Sequence, residues 1–185
     1  MGKILFFGDS LTAGYGLFDP ARESFPGLIQ AKINASKLPF DVINAGVSGD
    51  TSAGGLARID YWLYQPIDVF ILELGINDVM RGVPPQTTLA TLDTIVTRVK
   101  RKYPNAKLAL MGMELPAFIP GTLVPEFKGI FKTLSDAHQM LLIPFFLEGV
   151  LGQSHLNLHD GLHPSAAGYK VIADKVWPAL KTLLE

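Results

Sequence analysis

The chain has 185 residues, 48% of them hydrophobic and 18% charged, so it is long enough for one substantial core and we expect a single domain over residues 1–185. Sixteen basic and seventeen acidic residues give a formal net charge of −1 with no block of like charge, which argues against a nucleic-acid partner. The absence of cysteine excludes disulfides and thiolate chemistry, and no apolar run approaches the roughly 18 residues of a membrane span, so we expect no stable membrane insertion.

The first predicted element is a buried strand over Ile4, Leu5, Phe6 and Phe7. Its side chains are apolar without alternation, which is typical of a parallel strand covered on both faces. The strand stops at a polar, glycine-punctuated loop that contains Ser10. In open α/β sheets, ligands bind beyond the carboxyl ends of the strands, near the point where the strand order reverses. We therefore expect chemistry at Ser10.

Helices and strands alternate along the rest of the chain. Apolar residues at helical spacing predict helices over 23–36, 51–64, 87–103 and 127–142, and a last helix from Pro164 to Leu184. Apolar runs predict strands over 41–45, 68–74, 107–113 and 143–147, and Pro144 places the last strand at a sheet edge. This alternation predicts an α/β fold, a three-layer α/β/α sandwich with a central five-stranded parallel sheet of the flavodoxin-like kind.

In two segments the apolar residues show neither helical nor strand-like spacing. Residues 114–125 contain three prolines around an apolar centre, and we interpret this irregular segment as a wall of a substrate cleft. Residues 148–163 form a long loop before the last helix. Together with the loops after the second and third strands, this loop brings Gly46, Asn77, Asp160 and His163 to the same edge of the predicted sheet as Ser10.

Four motifs occupy these loops in order: Gly8-Asp9-Ser10-Leu11, then Gly46, then Gly75-Ile76-Asn77-Asp78, then Asp160-Gly161-Leu162-His163-Pro164. In this order and over nearly the whole chain, they resemble the blocks of the SGNH, or GDSL-motif, hydrolase family. Within it, the chain is most similar to the bacterial multifunctional thioesterase, lysophospholipase and arylesterase group. The resemblance implies the SGNH hydrolase fold, ester hydrolysis without a cofactor, and a periplasmic or secreted location, although no signal peptide is visible in the chain.

The same residues satisfy the needs of a serine hydrolase. A serine hydroxyl needs a base to take its proton and a third group to orient that base. We predict Ser10 as the nucleophile, His163 as the base and Asp160 as the orienting group. For the oxyanion we predict the backbone N–H groups of Ser10 and Gly46 and the amide of Asn77 as donors. The predicted protein is a monomeric serine esterase of small-molecule acyl esters, and the resemblance adds acyl-thioesters and lysophospholipids.

A binding module is the alternative from another functional class. In a flavodoxin-like phosphate- or cofactor-binding module, backbone N–H groups and the hydroxyls of Ser10 and Thr12 would hold a phosphate in the first loop. This alternative explains the first loop only, because it leaves Asn77 and the pair of Asp160 and His163 without a role.

A metal site at His155, His159 and His163 is a further alternative, since histidines four residues apart bind metals when they lie on one helix. Gly161 and Pro164 argue against one continuous helix through these residues. We therefore predict no bound metal.

The third motif departs from the group that the chain resembles. That group commonly has Gly-Gly-Asn-Asp-Gly here, whereas this chain has Ile76 and Val79 at the second and fifth positions. Because β-branched residues are more restricted than glycine, we expect a stiffer loop and a preference for short acyl chains.

Overall fold

A computed structural model describes residues 1–115 and 121–185, and its centre is one parallel sheet. The five strands are β1 (Gly2–Gly8), β2 (Phe40–Gly46), β3 (Val69–Glu73), β4 (Lys107–Met111) and β5 (Leu141–Ile143). They lie in the order β2-β1-β3-β4-β5, and every neighbouring pair is parallel. This confirms the predicted α/β fold and its flavodoxin-like strand order, which reverses between β1 and β3.

The described residues form eight helices: α1 (Ser10–Ala13), α2 (Pro20–Glu23), α3 (Phe25–Ala35), α4 (Ser52–Trp62), α5 (Ile76–Met80), α6 (Pro85–Lys102), α7 (Leu123–His138) and α8 (Ala166–Leu184). Helices α3 and α8 pack together on one face of the sheet, and α4, α6 and α7 form a row on the other. In the parts of the chain that the structure describes, no helix combines the length and the apolarity needed to cross a membrane.

Strand β1 is an interior strand between β2 and β3, as its uniform apolar run predicts. Ile4, Leu5, Phe6 and Phe7 are all buried, because helices cover both faces of the sheet. Gly8, at the end of β1, pairs with Gly46 on β2 and with Glu73 on β3. This register ends the three strands at one level, so the loops that follow them meet at the same edge.

Three short helices were missed in the sequence, and all lie at or next to this edge. Helices α1, α2 and α5 have only four or five residues each, which is too short for an apolar period to show. Of these three helices, α1 is the one with a side-chain cap. Asp9 caps α1 by accepting a hydrogen bond from the Leu11 N–H at 2.9 Å, and Gly14 ends it in the left-handed conformation with φ +80°.

The predictions around the last strand were wrong in their bounds. Helix α7 begins at Leu123 rather than 127, so the end of the segment predicted to be irregular is helical. It ends at His138 because Gln139 takes a left-handed conformation with φ +57°, which leaves Leu141–Ile143 free to form β5. The predicted strand over 143–147 is therefore misplaced, although β5 is an edge strand as Pro144 suggested. Residues 116–120, the centre of the proposed cleft wall, lie outside the described residues.

The long loop before α8 contains none of the named helices or strands and is held by specific hydrogen bonds. The amide of Asn157 donates to the carbonyl of Val150 at 2.5 Å and to that of Gln153 at 2.8 Å. Beyond the loop, the fully buried Tyr169 on α8 donates its hydroxyl to the carbonyl of Leu11 at 2.8 Å. The last helix is thereby attached to α1, which begins with Ser10.

Candidate active site

The sheet edge brings Ser10 and His163 into contact across 153 residues of sequence. Ser10 is the first residue of α1, directly after β1, and its Oγ lies 2.9 Å from Nε2 of His163. Ser10 is only 8% exposed, so its hydroxyl is recessed at this edge of the sheet rather than carried on a protruding loop. A serine hydroxyl in this position is able to pass its proton directly to the imidazole.

Asp160 is bonded to the other side of the His163 ring. Its Oδ2 lies 2.6 Å from Nδ1 of His163, and its Oδ1 accepts the backbone N–H groups of Leu162 and His163, both at 2.9 Å. Gly161 makes this turn in the left-handed conformation with φ +70°. Burial raises the pKa of Asp160, but the two backbone donors and His163 together outweigh it and lower the pKa to about 2. The structure thus brings together all three predicted members of the triad, with an ionised orienting group.

Tyr15 covers one face of the His163 imidazole, a contact that the sequence analysis did not predict. The two ring centres are 4.7 Å apart and the ring planes are inclined by 46°. Tyr15 follows the left-handed Gly14, which turns the chain back over the site. The aromatic ring restricts the rotation of the imidazole and shields it partly from water.

The three predicted oxyanion donors lie around α1, but two of them are engaged with protein acceptors. The backbone N–H of Gly46 donates to Oδ1 of Asn44 at 3.0 Å. The amide of Asn77 donates to Oδ2 of Asp9 at 3.0 Å and to the carbonyl of Asp50 at 2.9 Å. For the Ser10 N–H, residues 1–115 and 121–185 provide no hydrogen-bond acceptor. An oxyanion would therefore find one open donor and would have to share or replace the partners of the other two.

Gly46 is required for a steric reason as well. A Cβ atom at this position would lie 2.2 Å from the backbone nitrogen of Ala13 and 2.7 Å from its Cα. Real Cβ atoms do not approach a backbone so closely, so only glycine lets the loop after β2 lie directly against α1. The close approach keeps the Gly46 peptide next to the helix that carries Ser10.

A buried carboxyl pair lies beneath the Ser10 loop. Oε2 of Glu73, the last residue of β3, accepts the Thr12 hydroxyl at 2.8 Å and the Asp9 N–H at 3.2 Å. Its buried Oε1 has no donor among the residues that the structure describes. Burial and the adjacent charge of Asp9 raise the pKa of Glu73 well above its ordinary value, and burial raises that of Asp9 to about 6. We therefore expect Glu73 to keep its proton to a higher pH than an exposed glutamate.

Glu73→Gln tests this protonation, because glutamine is a neutral isostere that does not titrate. The folded wild type keeps a proton that the unfolded chain releases above about pH 4.5, so its free energy of unfolding falls as pH rises toward the pKa of folded Glu73. One such proton changes the stability by about 1.4 kcal/mol per pH unit. The advantage of Glu73→Gln over wild type is therefore expected to grow with pH, as urea unfolding from pH 5 to 8 would measure. A difference that stays constant with pH, as expected of the exposed control Glu126→Gln, would contradict a protonated Glu73.

The histidines of the alternative metal site do not come together. His155 and His159 are exposed in the long loop, while His163 is bonded to Ser10 and Asp160. Within residues 1–115 and 121–185, no three histidine, aspartate or glutamate side chains are grouped closely enough to hold a metal ion.

Comparison with known proteins gives matches over nearly the whole chain. Residues 6–171 match the GDSL-like lipase/acylhydrolase family. The chain is 34% identical over 182 residues to esterase TesA of Pseudomonas aeruginosa, covering 98% of this chain and 89% of that protein. It is 37% identical over 182 residues to a thioesterase/protease/lysophospholipase of Escherichia coli, covering 98% and 84%. The crystal structure of the psychrotrophic esterase EstA from Pseudoalteromonas sp., inhibited by monoethylphosphonate, gives a TM-score of 0.89 at 33% identity, covering 100% of this chain and 99% of that one.

Proposed function

Because the chain belongs to the GDSL-like lipase/acylhydrolase family, we propose that it hydrolyses carboxylic esters through an acyl-enzyme formed on Ser10. The observation that carries this proposal is the continuous path of contacts from Ser10 Oγ to His163 at 2.9 Å and on to Asp160 at 2.6 Å. The family membership supports the esterase and not the flavodoxin-like binding module, which would leave this path without a use.

His163 acts as the base and then as the acid. As the Ser10 oxygen bonds to the ester carbonyl carbon, its proton moves to Nε2 of His163, and the imidazolium returns that proton to the departing alcohol oxygen. A water molecule then repeats the attack on the acyl-enzyme, releasing the carboxylic acid and restoring Ser10. Asp160, whose pKa of about 2 keeps it ionised, holds the Nδ1–H tautomer and stabilises the imidazolium.

The tetrahedral oxyanion is stabilised by the N–H groups of Ser10 and Gly46 and by the Asn77 amide. The Ser10 N–H lies open, and the other two donors exchange or share their present acceptors when negative charge develops. An anionic oxygen competes well with the neutral acceptors, the Asn44 amide oxygen and the Asp50 carbonyl, because hydrogen bonds to ionised acceptors are roughly twice as strong as those to neutral ones.

The substrate is a small-molecule acyl ester. The names of the relatives, an esterase and a thioesterase/protease/lysophospholipase, support acyl-thioesters and lysophospholipids as further substrates. We propose a single domain over residues 1–185, because every residue of the proposed mechanism lies at one edge of the single sheet, and a monomer, because all of these residues come from one chain.

The acyl preference depends on helix α5, which contains the two residues that replace glycines. Ile76 and Val79 are partly buried and pack against the core, and the preceding Gly75 has φ +128°, a conformation reserved for glycine. Each Ile or Val in place of glycine also favours the helical backbone, by up to about 1 kcal/mol per residue. The loop beside Asn77 is therefore anchored, which limits how far it moves to admit a long acyl chain.

A panel of aryl esters with acyl chains from acetyl to hexadecanoyl tests both the function and this preference. Wild type is expected to hydrolyse the short esters, with kcat/KM falling severalfold toward the longest. Ile76→Gly/Val79→Gly is expected to flatten this profile, because it frees the backbone of α5. Absence of any ester hydrolysis would contradict the proposed function.

The matched control is Ile76→Ala/Val79→Ala, which removes the same bulk but keeps a strong helix former. If stiffness limits the acyl range, the alanine pair should retain more of the wild-type profile than the glycine pair. An unchanged profile in both double variants, or equal wild-type activity on long and short esters, would refute the role given to α5.

A further inference from the structure

Arg58, on helix α4, binds the ends of two strands at the candidate site. Its guanidinium donates to the carbonyl of Ala45 at 2.8 Å through one terminal nitrogen and to the carbonyl of Gly8 at 3.0 Å through the other. The plane of the guanidinium lies over the ring of Phe7, 3.9 Å from its centre. The side chain is 20% exposed, so these bonds are well shielded from water. Arg58 thus fixes the ends of β1 and β2 relative to each other. Ser10 lies just beyond β1, and Gly46 is the last residue of β2.

The bond to Ala45 acts on a proposed oxyanion donor directly. The carbonyl of Ala45 and the N–H of Gly46 belong to the same peptide group, which is planar and trans. Fixing the oxygen of that group therefore also fixes the direction in which the N–H points. A cationic donor on the oxygen also polarises the group and strengthens the N–H as a donor.

Arg58 reaches the second donor through Asp50. Its Nε donates to Oδ2 of Asp50 at 2.7 Å, and the Asp50 side chain is only 10% exposed. The backbone carbonyl of the same residue accepts the Asn77 amide at 2.9 Å. The position of the Asp50 carbonyl, and with it the aim of the Asn77 amide, depends on this ion pair.

We propose that Arg58 is a positioning residue that aligns the Gly46 and Asn77 donors toward the oxyanion. This inference rests on the proposed function and deepens it. A fork of three nitrogens is needed, because the three acceptors lie on β1, on β2 and in the loop before α4, and a lysine ammonium cannot meet them in one plane. Misplacing catalytic groups by about 1 Å costs up to ~10²-fold in rate.

The test compares Arg58→Lys with Arg98→Lys, which alters a partly exposed arginine paired with Asp60 at 2.7 Å. Arg58→Lys is expected to lower kcat about 10- to 100-fold with less than a threefold change in KM. Its affinity for an aryl boronic acid, which forms a tetrahedral adduct with the serine, should fall by the same factor as kcat/KM. A residue that only supports the fold would not produce this parallel loss. Arg98→Lys should match wild type in all three measurements.

A fluorophosphonate separates failure of this inference from failure of the proposed function. If wild type is labelled at Ser10 and folded Arg58→Lys keeps the wild-type kcat and boronate affinity, Arg58 has no positioning role. If Ser10 of wild type is not labelled at all, the proposed function itself fails. Should Arg58→Lys not fold, Asp50→Asn breaks the ion pair alone and is expected to give a smaller fall in kcat at constant KM. A wild-type kcat in folded Asp50→Asn would then overturn the inference.

Discussion

Ser10→Ala is expected to lose essentially all turnover, at least about 10⁴-fold in kcat/KM. The alanine removes the atom to which the acyl group would be bonded. No second hydroxyl in the described structure forms a hydrogen bond with His163. The fold should persist, because Ser10 Oγ makes its one side-chain hydrogen bond to His163. The measurements are ester hydrolysis and intact-mass detection of a fluorophosphonate adduct.

The control is Ser154→Ala, which removes an exposed serine from the long loop. This variant should keep wild-type turnover and stoichiometric labelling. Retention of labelling in Ser10→Ala would show that another residue is the nucleophile, and retention of turnover without labelling would exclude an acyl-enzyme on Ser10.

Asn77→Ala is expected to lower kcat by roughly 10²–10³-fold, the usual effect of losing one oxyanion donor. KM should change little, because the amide acts on charge that appears only after Ser10 has attacked. The structure adds a second expectation. Since the amide also joins Asp9 to the Asp50 carbonyl, its loss should lower the melting temperature modestly.

Steady-state kinetics and thermal unfolding of Asn77→Ala distinguish these effects. Asn105→Ala, in an exposed turn before β4, serves as the control and should match wild type in both. A folded Asn77→Ala variant with normal kcat would remove Asn77 from the mechanism. A large rise in KM at constant kcat would recast it as a residue that binds substrate.

The main architecture could be predicted because its signals are local. Uniform apolar runs such as 4–7 identify buried parallel strands, and the alternation with helices identifies the fold. The last strand was misplaced because its limits depend on Gln139, whose left-handed conformation has no distinct sequence signal. The short helices α1 and α5 were missed because four or five residues are too few to show an apolar period, and α5 also has no side-chain cap.

The candidate site likewise has residues with a local sequence signal and residues whose role depends on tertiary contacts. Ser10, Asp160 and His163 could be predicted because their motifs stand in order along the chain. The supporting residues could not, since Arg58 and Glu73 contact loops that are distant in sequence. A lone acidic residue inside the apolar run 69–74 was the one available signal for Glu73. The acceptors already bonded to Gly46 and Asn77 are a tertiary property that no motif reveals.

The bond between Tyr169 and the Leu11 carbonyl has a consequence for biosynthesis. A chain made from its N-terminus exposes β1, β2 and β3 for pairing well before residue 163 exists. Asp160 and His163 follow all five strands, and the contact between α8 and α1 holds the segment that carries the imidazole beside the serine. Contacts across more than 150 residues form late in folding, because loop closure must precede them. Hydrolysis therefore requires synthesis beyond His163, so a product that ends before this residue has the strands and the serine but no catalytic base.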